Sequence, residues 1–149
     1  MSGFHHLFAL LTVLSRAPER ERRTMASARL APALDAEVQE RVDTVLRYLT
    51  DSLDEEVRMT TAAELVGMTP STFSRFFQRA AGQGFASMVR RLRIVRACRM
   101  LTDTELPVVD VCYAVGYTNL SNFNRQFRAE TGTTPRAYRR AARAQPAAV

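Results

Sequence analysis

Apolar residues recur every three or four positions through most of the chain, which is the spacing of a helix that buries one face. No stretch alternates for long with the two-residue period of a strand. We therefore predict an all-α fold class with about seven helices. The first helix is expected to have Asp35 as its N-cap. Its apolar stripe consists of Val38, Val42, Val45, Leu46 and Leu49.

Glycine and proline divide the next part of the chain into two helices. The first is short, with Thr60 as its expected N-cap, and it ends at Gly67, since glycine accepts a left-handed conformation without steric cost. Thr69 is the expected N-cap of the second helix. Pro70 follows at its first position, where a missing N–H loses no hydrogen bond. Two helices joined by a glycine-containing turn are the parts of a helix-turn-helix motif.

A long linking helix is expected over residues 85–101. Its predicted inner side consists of Met88, Leu92, Val95 and Met100. Five arginines are interleaved with these residues: Arg90, Arg91, Arg93, Arg96 and Arg99. Pro107 then opens another short helix that Gly116 ends, and the next helix covers residues 119–131. Pro135 begins a basic helix or turn at the C-terminal end.

A repeat of about 50 residues relates the two helix pairs. The string F-x-R-x-F-x-x-x-x-G occurs at residues 73–82 and at residues 123–132, which lie 123 − 73 = 50 positions apart. The turn glycines Gly67 and Gly116 are 116 − 67 = 49 positions apart, so the second turn has one extra residue. This repetition predicts a duplicated helix-turn-helix, with the long helix between the copies.

The arginine of each string lies opposite two phenylalanines. At about 100° per residue, Phe73 and Phe77 share one face, and Arg75, two positions from each, points to the other. The outer face carries donors and acceptors suited to base edges and phosphates, although an ordinary solvated face is the competing interpretation of any one residue. The candidate DNA-binding residues are Ser71, Thr72, Ser74, Arg75, Gln78 and Arg79 in the first copy, and Ser121, Asn122, Asn124, Arg125 and Arg128 in the second.

The length of the linking helix suits two adjacent grooves of DNA. About 17 residues at about 1.5 Å each give a helix of about 25 Å. With the helix radii at each end, the two recognition helices would lie about 34 Å apart, which is one turn of the duplex. We expect them to enter successive major grooves on one side. Where the grooves are not aligned, the duplex must bend, at a cost of about 1–6 kcal/mol.

The charge distribution favours a polyanionic partner. The net charge is +6, and all 21 basic residues are arginine. Residues 35–59 contain 3 arginines and 8 acidic residues, a balance of 3 − 8 = −5, whereas residues 60–149 contain 13 and 5, a balance of 13 − 5 = +8. The positive electrostatic field of residues 60–149 is expected to attract nucleic acid first and an acidic membrane second. A basic surface that serves only solubility is the alternative.

Residues 35–141 resemble the AraC/XylS-type DNA-binding domain. The resemblance lies in residues 62–75, in the Arg-Leu-Arg string at residues 91–93, and in the second copy over residues 115–139. It implies seven helices in two subdomains joined by a rigid helix, binding to double-stranded DNA at promoters, and recruitment or obstruction of RNA polymerase. By position, the implied base contacts are Ser71, Ser74 and Arg75, and then Ser121, Asn122 and Arg125. Many relatives have larger side chains in place of Ser71 and Ser74, so readout by the first motif would rest mainly on Arg75.

The N-terminal segment departs from the family pattern. Residues 1–34 predict a short amphipathic helix and a linker, too little for the effector-binding domain that many relatives carry. Three interpretations stay open: a truncated chain, a short stand-alone member, or a homodimer contact through residues 4–14. Residues 35–141 are the predicted DNA-binding domain, and residues 142–149 a disordered tail.

Other chemistry finds little support in the sequence. No nucleophile–base–acid set, phosphate loop or metal-ligand spacing occurs, so we expect no enzyme activity, cofactor or metal. We assign His5 and His6 to the surface or to a face that contacts a partner, and not to a metal site. Cys98 and Cys112 are expected to be buried free thiols in a reducing cytoplasm. No apolar run is long enough to span a membrane. We expect a cytoplasmic, nucleoid-associated protein; an architectural module that coats DNA without sequence choice is the rival interpretation.

Overall fold

The computed structural model describes residues 34–145, which form seven α-helices, with no strand in that range. The helices are α1 (Leu34–Ser52), α2 (Met59–Leu65), α3 (Pro70–Ala81), α4 (Phe85–Asp103), α5 (Val108–Ala114), α6 (Leu120–Thr131) and α7 (Pro135–Ala144). The predicted all-α class and the number of helices are confirmed. The amphipathic helix and dimer contact predicted near the N-terminus lie outside the described residues, as do residues 146–149.

Both helix-turn-helix motifs belong to one compact unit, which begins at Glu40. α1 already includes Leu34, so Asp35 lies within the helix, and its prediction as the N-cap is wrong. An acidic side chain is favourable both at the cap and in the first turn, so its identity alone does not separate the two positions. The apolar stripe of α1 is deepest at Val45 and Leu49, which are fully buried, whereas Val38 is exposed.

The first helix-turn-helix consists of α2 and α3. α2 begins at Met59, with Arg58 in the N-cap position and no side-chain hydrogen bond there. The N–H of Ala62 donates to the carbonyl of Arg58 at 3.2 Å, so the backbone ladder starts two residues earlier than expected. The prediction of Thr60 as the N-cap is therefore wrong, because Thr60 is already part of the helix.

The turn and second helix of this motif follow the prediction. Gly67 has a φ of 68°, in the left-handed region that favours glycine. Thr69 is the N-cap of α3, and its hydroxyl oxygen accepts a hydrogen bond from the N–H of Thr72 at 3.4 Å. Pro70 occupies the first helical position, where no backbone donor is needed.

The linking helix α4 buries two different faces along its length. Its first half buries Phe85, Met88 and Val89, and its second half buries Ile94, Ala97 and Leu101. At about 100° per residue these two groups point about 160° apart. Phe85 belongs to the first motif's interior and the second group to the other motif's, so the helix packs on two cores. Of the predicted single stripe, Met88 is buried and Met100 packs against the core of the second motif, whereas Leu92 and Val95 are half-buried.

The second helix-turn-helix consists of α5 and α6. α5 begins directly after Pro107, as predicted. Asn119 is the N-cap of α6, and its side-chain oxygen accepts a hydrogen bond from the N–H of Asn122 at 2.9 Å. Pro135 opens a helix, α7, that continues to Ala144. Residues 142–144 are thus helical, where the sequence predicted the start of a disordered tail.

Aromatic rings form the interior of both motifs. The ring centroids of Phe73 and Phe77 are 5.7 Å apart, and both rings meet Phe85 of α4 edge-on. In the second motif, rings with centroid separations of 5.3–5.8 Å belong to Tyr117, Phe123, Phe127 and Tyr138. The four phenylalanines of the repeat are at most 1% exposed, so their predicted role in the core is confirmed.

Two arginines connect neighbouring helices by the same kind of contact. Arg93 of α4 donates from Nε to the carbonyl of Leu53, just past the end of α1, at 3.0 Å. Arg139 of α7 donates from Nε to the carbonyl of Leu101, in the last turn of α4, at 3.0 Å. Helix ends leave carbonyls without intrahelical partners, and a guanidinium satisfies them while complementing the helix dipole. Both arginines thereby fix the packing of one helix on the end of another.

Gly116 lies where three elements meet. Its φ is 96°, and a Cβ at this position would overlap the carbonyl oxygen of Leu53 and lie 2.9 Å from Nε of Arg93. Only glycine fits such a close approach between the second turn, the end of α1 and the linking helix. No such crowding surrounds Gly67, where an added Cβ meets open space.

The two cysteines are free thiols, and the prediction that both are buried is confirmed only for Cys112. Cys98 is half-buried against the core of the second motif. Burial raises the pKa of both thiols, which disfavours the reactive thiolate. Within residues 34–145, no group of side chains is arranged to hold a metal ion, and no helix has the length and apolarity to cross a membrane.

Candidate nucleic-acid interface

The outer face of α3 is polar and accessible. Because Phe73 and Phe77 are buried on the inner side, the positions between them face away from the core. All six candidates on this helix are exposed, namely Ser71, Thr72, Ser74, Arg75, Gln78 and Arg79. The hydroxyl of Thr69 donates to that of Thr72 at 2.9 Å. Arg75 makes no hydrogen bond or ion pair with another described residue.

The outer face of α6 repeats this arrangement with one difference. Four of its five candidates are exposed, namely Ser121, Asn124, Arg125 and Arg128. Asn122 is half-buried, and its side-chain oxygen accepts a hydrogen bond from Nη2 of Arg125 at 2.9 Å. The arginine of the second motif is therefore held by a neighbour on its own helix, whereas Arg75 of the first motif is not.

The positive charge of these two faces is not neutralised on the helices themselves. α3 contains no acidic residue. The single acid of α6, Glu130, forms an ion pair of 3.5 Å with Arg91 of the linking helix. Asn122 is neutral, so Arg125 keeps its full charge while it is held. Such uncompensated guanidinium groups attract phosphates and match the O6 and N7 atoms of guanine.

Comparisons with known proteins agree with this geometry. A family described as a helix-turn-helix domain matches residues 62–141, more than half of the chain. The regulatory protein SoxS of Salmonella typhimurium is 27% identical over 101 residues, which are 68% of this chain and 94% of SoxS. A solved transcriptional regulator of the AraC type from Chromobacterium violaceum has a TM-score of 0.68 at 26% identity, covering 74% of this chain and 98% of that one. The chain belongs to the AraC/XylS family.

Several curated AraC/XylS relatives are longer than this chain. The regulatory protein PocR of Salmonella typhimurium is 32% identical over 94 residues, 63% of this chain and 31% of PocR. The chain thus spans about a third of the length of that relative. Among solved structures, the DNA-binding domain of the transcriptional factor AdpA, in complex with a target DNA, has a TM-score of 0.63 at 28% identity, covering 72% of this chain and 94% of that one.

The AraC/XylS fold assigns different roles to arginines that look alike in the sequence. Arg91 and Arg93 of the linking helix hold other helices, so neither is a free surface charge. Arg136 and Arg140 of α7 are exposed and make no hydrogen bond or ion pair with other described residues. Neither residue was among the predicted contacts, since the repeated string ends at Gly132. The basic run after Pro135 was the signal that could have identified them.

Proposed function

We propose that the chain is a sequence-specific DNA-binding regulator of transcription that inserts α3 and α6 into successive major grooves of a promoter. The observation that carries this is the same in both motifs: an exposed arginine stands opposite a fully buried pair of phenylalanines. The buried pair orients the helix, and the arginine and its polar neighbours project outward. Recognition helices of helix-turn-helix proteins are oriented in this way toward base edges.

Each exposed group has a chemically suitable partner on DNA. Arg75 and Arg125 fit the paired acceptors of guanine, Asn124 fits adenine, and Gln78 fits adenine or a phosphate. The remaining proposed contacts are to phosphates or base edges for Ser71, Ser74 and Ser121, and to phosphates for Thr72, Arg79 and Arg128. Asn122 belongs to the same surface through its hydrogen bond to Arg125. The family relationship to a domain solved on its target DNA supports this assignment. Arg136 and Arg140 join the surface as phosphate contacts.

The length of the linking helix suits a two-groove mode of binding, in which α3 and α6 enter successive major grooves. α4 contains 19 residues, which at about 1.5 Å per residue make about 28 Å. Because its ends pack on different motifs, its length sets the distance between α3 and α6. With the helix radii added, this distance approaches the 34 Å or so of one DNA turn.

The wider role follows from the family. Several relatives are named transcriptional regulators, and SoxS is matched over nearly its whole length. We propose that this chain likewise acts at promoters in the cytoplasm, at the nucleoid, and that RNA polymerase is its protein partner. Its output would be binding and not catalysis. A homodimer contact through residues 4–14 is a further part of this proposal.

Relative affinity for two DNA duplexes tests the proposed function. A site is first selected from random duplexes with the full chain, and its Kd is compared with that of a scrambled duplex of equal length and composition at about 0.15 M salt. We expect the selected site to bind about 10³-fold or more tightly. Equal affinity, or a selection that enriches no sequence, would identify an architectural module and contradict the proposal.

A further inference from the structure

Arg125 is the end of a short hydrogen-bonded chain on α6. The side-chain oxygen of Asn119 accepts a hydrogen bond from the N–H of Asn122 at 2.9 Å, and this bond fixes the first turn of the helix. The side-chain oxygen of Asn122 then accepts from Nη2 of Arg125 at 2.9 Å. Residues three positions apart are neighbours on a helix surface, so this bond follows the normal direction of the side chains. The guanidinium is thus tied to the helix through a residue that is itself half-buried.

The first motif has no such hydrogen bond between the equivalent residues, Thr72 and Arg75. Thr72 corresponds to Asn122, since 122 − 72 = 50 is the period of the repeat. The hydroxyl of Thr72 accepts a hydrogen bond from the hydroxyl of the N-cap Thr69 at 2.9 Å. Arg75 has no partner among the described residues. Two motifs with the same interior therefore present one held arginine and one free arginine.

We propose that Asn122 is a positioning residue, which holds Arg125 in the geometry for base recognition and does not itself read a base. As a consequence, the second motif discriminates at the base pair of Arg125 more sharply than the first motif does at the base pair of Arg75. The proposal rests on the proposed function, because it takes Arg125 to be a base contact.

The chemistry of the pair suits this role. A guanidinium has five N–H donors, so one bond to Asn122 leaves four for the two acceptors of a guanine. The neutral amide oxygen orients the guanidinium and leaves its positive charge in place. A carboxylate in the same position would neutralise that charge. An arginine that is already oriented loses less side-chain freedom on binding than one that must be ordered, a difference that corresponds to at most about a tenfold change in affinity.

The test is a comparison of base preferences among variants of the full chain. Base preference is measured as the ratio of the Kd for a single-base variant of the selected site to the Kd for the selected site itself. Arg125→Ala first identifies the base pair at which this ratio falls. We expect Asn122→Ala to lower discrimination up to about tenfold at that same base pair and at no other. The double variant should discriminate no worse than Arg125→Ala alone, because Asn122 acts only through the arginine.

Two further variants separate positioning from a general loss of structure. Asn122→Asp keeps an acceptor oxygen at the same distance, so it should retain discrimination at the base pair of Arg125, although added negative charge weakens binding to all duplexes. Thr72→Ala is the matched variant in the first motif. As a proposed phosphate contact, Thr72 contributes to binding of all duplexes, so its loss should lower overall affinity, but preference at the base pair of Arg75 should stay unchanged because the Thr72 hydroxyl is bonded to Thr69 and not to Arg75. Circular dichroism and thermal unfolding confirm that each variant is folded.

The outcomes are distinguishable. If Asn122→Ala relaxes preference at a different base pair, with losses that add to those of Arg125→Ala, Asn122 reads a base itself and the inference is wrong. A Thr72→Ala variant that loses as much discrimination as Asn122→Ala would overturn the contrast between the motifs. If Arg125→Ala changes no base preference at all, both this inference and the assignment of Arg125 as a base contact fail.

Discussion

The first and second helix-turn-helix motifs share an interior and differ in their connections and outer faces. Each buries a phenylalanine pair and exposes an arginine between its two members. The turn of the second motif is one residue longer and contains Gly116, which is packed against Leu53, whereas the corresponding Gly67 has open space around it. The interior pattern is thus common to both copies, while the surroundings of each copy are its own.

The features that the two motifs share are those that any repeated helix pair needs. The features that differ depend on where each motif lies in the fold. The phenylalanine pair recurs because any helix that covers a core needs apolar residues four positions apart. The crowding at Gly116 has no counterpart at Gly67, because Gly116 lies against the carbonyl of Leu53 and the side chain of Arg93, whereas an added Cβ at Gly67 meets open space. The tie between Asn122 and Arg125 is likewise confined to one copy.

The largest expected effect removes the feature that the motifs share. Phe77→Ala and Phe127→Ala should each lower the free energy of unfolding by about 3–5 kcal/mol, since each ring is fully buried and leaves a cavity. Urea denaturation of the full chain measures this loss. Phe76→Ala, at a half-buried position of the same helix, is the matched control and should cost less. A loss of under about 1 kcal/mol for either core variant would contradict the full burial of these rings.

Substitution of the turn glycines sharpens the difference between the motifs. Gly67→Ala should cost about 1–2 kcal/mol, because only the left-handed backbone is strained. Gly116→Ala adds an overlap with the carbonyl of Leu53, so we expect a total of about 3 kcal/mol or more. The same denaturation experiment gives both values. Equal losses would mean that the second turn does not approach α1 closely.

The helix caps give the smallest expected effect. Asn119→Ala and Thr69→Ala should each destabilise the fold by about 1 kcal/mol through loss of a bond to the first turn of a recognition helix. Asn119→Ala should cost more, because its bond is 2.9 Å long and that of Thr69 is 3.4 Å. Thermal unfolding resolves the order of the two variants, with Thr69→Ser as the control that keeps an acceptor. The reverse order would argue against the cap geometry.

Local signals predicted much of the fold. The cap at Thr69, the proline at the start of α3 and the buried phenylalanines all depend on residues a few positions apart. The inner face of α4 was predicted only in part, because its apolar residues serve two cores on nearly opposite sides. Treating the apolar residues of α4 as one stripe therefore combined two separate sets of buried positions.

The candidate site was predictable in outline and not in its detail. The repeated string indicated which side of each helix faces outward. Ten of the eleven candidates are exposed, and Asn122, at the edge of the outer face, is half-buried. The bond between Asn122 and Arg125 was not predicted, since an amide at that position can reach either a base or a neighbouring guanidinium. The inward roles of Arg91 and Arg93 depend on contacts with distant parts of the chain, which spacing does not reveal.

The decisive measurement is the base-preference profile of Arg75→Ala beside that of Arg125→Ala on one selected site. If both helices read successive major grooves, each variant should lose about 1–3 kcal/mol of binding at that site and relax preference at one base pair. The two relaxed positions should lie about 10 base pairs apart. Equal losses on selected and scrambled duplexes, or two positions that are not one helical turn apart, would contradict the two-groove mode.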